Sequence, residues 1–66
     1  MPPVHVDAVV RLKEDVPTHE LCCGDKGVVV SVWLSSGFLC EVEFRKSATS
    51  PAVRALLRAE QLEIVG

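Results

Sequence analysis

KGVVVSVWLSSGFLCEVEF, residues 26–44, holds two runs that alternate with period two about a short polar break. In the first run Val28, Val30, Val32 and Leu34 share one face, and Val29, Ser31 and Trp33 share the other. Such a density of β-branched side chains suits a pleated surface and is poor for a helix. Ser35-Ser36-Gly37 supplies a three-residue turn with glycine where positive φ is favoured. The second run turns Phe38, Cys40, Val42 and Phe44 inward and Leu39, Glu41 and Glu43 outward. The stretch is a β-hairpin.

Counting back from the turn fixes an expected register. With Leu34 opposite Phe38, the outer face pairs Trp33 with Leu39, Ser31 with Glu41, and Val29 with Glu43. The inner face pairs Val32 with Cys40, Val30 with Val42, and Val28 with Phe44. One side of the hairpin is continuous core. The other carries an apolar Trp33–Leu39 pair among carboxylates.

On the N-terminal side, residues 8–13 alternate again, with Val10 and Leu12 on one face, and read as a first strand. Residues 1–7 precede it as an extended lead-in, since Pro2 and Pro3 cannot donate ladder hydrogen bonds. Residues 14–24 form a long polar loop broken by Pro17, with Leu21 as its apolar anchor. Residues 45–50 are a second polar loop. The segment 51–62 is ambiguous: Ala, Leu and Arg favour a helix that Ser50-Pro51 would start well. Read with period two, Val53, Ala55 and Leu57 form an inner row instead. Leu62, Ile64 and Val65 read as a last short strand.

Gly24-Asp25-Lys26-Gly27 leads from the long loop into the hairpin as a turn feeding a strand. It is not a phosphate loop, because no Gly-Lys-Ser/Thr opens a helix here. With this turn in place the order of elements looks like a five-stranded SH3-like barrel. More closely, the span from Val9 to Val65 resembles the small bacterial family called domain of unknown function 4926. The resemblance rests on Val9-Val10-Arg11-Leu12, Asp15-Val16-Pro17, Gly24-Asp25-Lys26-Gly27-Val28-Val29, Glu41-Val42-Glu43-Phe44 and Glu60-Gln61-Leu62. It implies a mainly β fold, with residues 51–62 as a strand followed by a one-turn 3-10 segment before the last strand. It implies no activity. The expected core is Val10, Leu12, Val28, Val30, Val32, Cys40, Val42, Phe44 and Ile64.

Sixty-six residues and 7.2 kDa make a single domain over residues 1–66. An apolar share of 48% with 24% charged residues excludes disorder. No apolar run nears the roughly 20 residues that span a bilayer. No secretory signal is expected, because Met1-Pro2-Pro3 lacks a basic start leading into an apolar stretch. Three cysteines without a signal point to a reducing, cytoplasmic setting and away from a disulfide framework. His19, Cys22, Cys23 and Cys40 are the one conceivable soft-metal set. Cys40 reads as core, however, and paired zinc-ligand spacing is missing, so neither metal nor cofactor is expected.

No enzyme is expected either. The serines cluster in turns, and nothing orients His5 or His19. A nucleic-acid-associated module of the KOW type is the alternative, with Arg11, Lys13, Arg45 and Lys46 at one end. A formal charge of −2 and a single Trp without Tyr argue against it. A remoter reading is a pore-type enzyme built by oligomerisation. The tail from Ala59 to Ile64 is similar in cadence to type II dihydrofolate reductase, but the pore motif of that family has no counterpart here.

A binding module acting through protein–protein association is therefore the expected function. Trp33 and Leu39, with Val29 at the edge, are the expected interface residues. The core of so short a chain supplies only about 3–5 kcal/mol. That favours a homo-oligomer, most simply a dimer, over association with an unidentified partner protein. Glu41 and Glu43 would lie on its rim, within reach of Arg11 or Lys13 of the other copy. The competing expectation is that residues 3–6 or the long loop fold back over the Trp33–Leu39 pair.

Overall fold

A computed structural model describes residues 4–33, 38–45 and 47–65. Five antiparallel strands form one sheet: β1 (Val9–Leu12), β2 (Lys26–Trp33), β3 (Leu39–Phe44), β4 (Val53–Arg58) and β5 (Leu62–Ile64). Their order is β4-β3-β2-β1-β5. This is the strand order of an SH3-like barrel, but the barrel is loose: among the described residues no ladder joins β4 to β5, so the sheet is not closed. A single 3-10 turn, Ala59–Gln61, connects those two edge strands, as the resemblance implies. The turn between β2 and β3, and with it the pairing of Leu34 with Phe38, lies outside the described residues. Among the described residues no helix is long and apolar enough to cross a membrane.

Residues 53–58 are strand although their Ala, Leu and Arg content favours a helix. Ala55 and Leu57 are buried in the core, and the whole strand pairs with β3 from Leu39↔Arg58 to Phe44↔Val53. Burial of one alternating face outweighs local propensity here.

The hairpin departs from its expected register at one point. Trp33↔Leu39, Val32↔Cys40 and Ser31↔Glu41 pair as counted from the turn. Beyond them a β-bulge leaves Val30 as the extra residue, and the ladder resumes at Val29↔Val42, Val28↔Glu43 and Gly27↔Phe44. A shift of one residue exchanges the faces. Val29 is therefore fully buried at 0% exposure, while Val28 faces outward at 42%.

Among the described residues thirteen apolar ones make the core: Val10 and Leu12 of β1, Val29, then Cys40, Val42 and Phe44 of β3, Ala55, Leu57 and Leu62, with Val4, Ala8, Val16 and Leu21 closing its ends. Val32 and Phe38 pack half-buried against it. Four expected core positions are not fully buried, Val32 being one of them as a half-buried neighbour of the core. Val28 is displaced by the bulge, and Val30, at the bulge itself, is half-buried. Ile64 is 48% exposed although it pairs with buried Val10, because β5 has no strand on its far side.

The segment ahead of β1 does not run straight. Ala8 N–H donates to His5 O at 3.1 Å, and Asp7 adopts a positive φ of 74°. This turn tucks Val4 into the core and lets Asp7 N–H donate to Val29 O at 2.8 Å. The long loop is pinched by a bridge between Val16 and Leu21, which buries both side chains. Two carboxylates brace its return: Asp15 Oδ1 accepts Cys23 N–H at 2.8 Å, and Asp25 Oδ2 accepts Cys22 N–H at 3.0 Å. Gly24 makes the final turn with φ 94°, and its N–H donates to Leu12 O at 2.9 Å.

Candidate functional site

Beyond the bulge, β2, β3 and β4 present an outer face whose rows follow from the ladders. One row runs Trp33, Leu39, Arg58 and the next runs Ser31, Glu41, Leu56. A third row runs Val28, Glu43, Arg54. Trp33 is 54% exposed and Leu56 is 56% exposed, with half-buried Leu39 between them. Together with His19, Glu41 and Arg54 these three line an open cleft of about 590 Å³.

Trp33 and Leu39 thus stand side by side on the outer face, as the hairpin reading has them. Val29 does not join them. It was expected at the edge of this face, but the bulge turns it into the core, where no partner protein can reach it. Its place in the apolar patch is taken by Leu56, which the sequence reading did not single out. The signal was present: if Ala55 and Leu57 point inward, Leu56 between them points outward. Neither residues 4–6 nor the long loop covers the pair, since Trp33 keeps more than half its surface exposed. Pro3 lies outside the described residues, and from the loop only His19 reaches the rim of the cleft.

The charges on this face sort into a satisfied pair and a remaining pair. Arg54 Nε donates to Glu43 Oε1 at 3.1 Å across the β3–β4 ladder. Among the described residues neither Glu41 nor Arg58 has an ion-pair partner. Arg11, expected to reach across to a neighbouring copy, is instead bound to Glu63 of the adjacent strand β5. That guanidinium donates to the Glu63 carboxylate and holds its pKa below the usual carboxylate range. Of the expected basic group, Lys46 lies outside the described residues, Arg11 is held by Glu63, and Arg45 lines a small cleft with Gly24, Lys26 and Phe44.

The cysteines do not converge. Cys40 is buried in the core, and burial pushes its thiol pKa up. Cys22 and Cys23 are exposed, and Cys23 Sγ donates to Lys13 O at 3.3 Å. Among the described residues no group of three or more His, Cys, Asp or Glu side chains is placed to hold a metal ion.

Comparison with curated proteins and with solved structures returns no match. The sequence profile of one family matches residues 7–64, which spans all five strands and every residue of the apolar face. The chain belongs to the family described as a domain of unknown function (DUF4926).

Proposed function

We propose that this chain is a small binding module that acts by protein–protein association, without catalysis, and that it associates with itself through the Trp33–Leu39–Leu56 face. The observation that carries the reading is that two large apolar side chains, Trp33 and Leu56, each more than half exposed, line one open cleft with Leu39 between them on a three-strand face. A contiguous apolar patch rimmed by charged groups is the usual form of an association site, and tryptophan is enriched at interface centres. A chain of 66 residues also hides only about 60% of its unfolded surface, so burial against a second copy adds stability that the small core lacks. Its three free thiols fit a reducing compartment, the cytoplasm.

Trp33 is the single tryptophan of the chain, so its emission reports on this face alone. Raising the protein concentration is expected to shift that emission to the blue as Trp33 leaves water. The Leu56→Glu variant, altered at an exposed position, is expected to keep the fold and lose the shift. Emission that stays red at every concentration, or a shift that survives Leu56→Glu, contradicts the reading.

A further inference from the structure

We propose that two copies close face to face about a two-fold axis lying along the line from Trp33 to Leu56, so that Glu41 of each copy meets Arg58 of the other. The proposal rests on the self-association reading above and adds the geometry and the charged contacts of that interface. It follows from the order of residues on the outer face. Trp33, Leu39 and Arg58 are cross-strand neighbours in one row, and Ser31, Glu41 and Leu56 in the next. The Trp33–Leu56 line crosses this lattice diagonally. It leaves Leu39 and Arg58 on one side, Ser31 and Glu41 on the other.

A half-turn about that line sets Trp33 on its own copy and Leu56 on its own copy, the self-complementary arrangement of a cyclic dimer. The same half-turn exchanges the flanks, which brings the Arg58 side of one copy over the Glu41 side of the other. Both contacts unite opposite charges, and both use the groups that have no ion-pair partner among the described residues. The other simple axes do not. An axis along β3 sets Glu41 against Glu41 and Glu43 against Glu43. An axis across the strands through Glu41 sets Arg54 against Arg58, as does edge-to-edge pairing of β4 centred on Leu56. Like charges in contact oppose association, so the diagonal axis is the one selected.

The test is charge reversal read by dissociation constant and mass. Glu41→Arg alone and Arg58→Glu alone each place like charges at both contacts, and each is expected to weaken the dimer about tenfold or more. The two single variants mixed together make both contacts attractive again, so the mixture is expected to give a heterodimer near wild-type strength. Circular dichroism of each variant establishes that the fold is kept. If the wild type dimerises and the single variants do so equally well, or their mixture shows no preference for the heterodimer, the diagonal axis is wrong while the association face survives. If the wild type stays monomeric at all concentrations, both the axis and the association face are wrong.

Discussion

Gly27 lies directly across the ladder from Phe44, and a Cβ added at Gly27 would stand 2.8 Å from the Phe44 ring and 2.7 Å from Val42 Cγ1. Both neighbours are buried, and the carbonyl of Glu43 closes the same space at 2.8 Å. The glycine is needed for close approach of β2 to β3, since its φ is not in the left-handed region. Gly27→Ala is expected to lower stability by about 1–3 kcal/mol through overpacking. An unchanged urea midpoint for this variant would mean that β2 and β3 are not packed this closely.

Val28 and Val29 test the bulge, because adjacent identical residues fall on opposite faces. Val29→Ala empties part of the core and is expected to cost about 2 kcal/mol. Val28→Ala, at an outward position, is expected to stay within about 0.5 kcal/mol of wild type. A hairpin without the bulge predicts the reverse ranking in the same urea titrations.

That pair also shows where the sequence could be read and where it could not. Alternation places Trp33, Val32 and Ser31 correctly, since their pairings with Leu39, Cys40 and Glu41 follow one another without a slip. The count failed at Val28-Val29-Val30, where three like residues carry no mark of a one-residue slip. Leu56 is legible as outward once Ala55 and Leu57 are read as an inner row, but the composition of residues 51–62 favours a helix, and only the resemblance tips the reading to strand. The N-terminal turn at Asp7 escaped for another reason. Its local Ala8-to-His5 hydrogen bond is joined by one from Asp7 N–H to Val29 O, a contact across the chain that no local pattern reports.

The thiols separate by location. Burial raises the Cys40 pKa and shields its sulfur, whereas Cys22 and Cys23 are exposed. The thiolate is the reactive form, so a chromogenic disulfide reagent at mildly alkaline pH is expected to titrate two thiols per chain quickly. The third should react only once denaturant opens the core. Three fast thiols would remove Cys40 from the inner row.

Acid stability should respond to the Arg11–Glu63 contact. The Arg11 hydrogen bond and charge lower the Glu63 pKa in the folded chain, so the folded state favours the ionised carboxylate. Its contribution is therefore present above the unfolded carboxylate pKa and is lost as pH falls through the lower folded value. Glu63→Gln is expected to be less stable than wild type at pH 7, with the difference fading as the solution is acidified below the ordinary glutamate pKa of about 4.3. A constant difference across that range would show that the ion pair is not the cause.

Association through Trp33 is the claim on which the functional reading depends, and molar mass in solution tests it most directly. Light scattering across a concentration series should show the wild type rising from one chain of 7.2 kDa to two. Trp33→Glu, at a position 54% exposed, should fold and remain at the mass of one chain throughout. A wild type that stays at one chain at the highest concentration, or a Trp33→Glu variant that keeps the mass of two, would contradict the account.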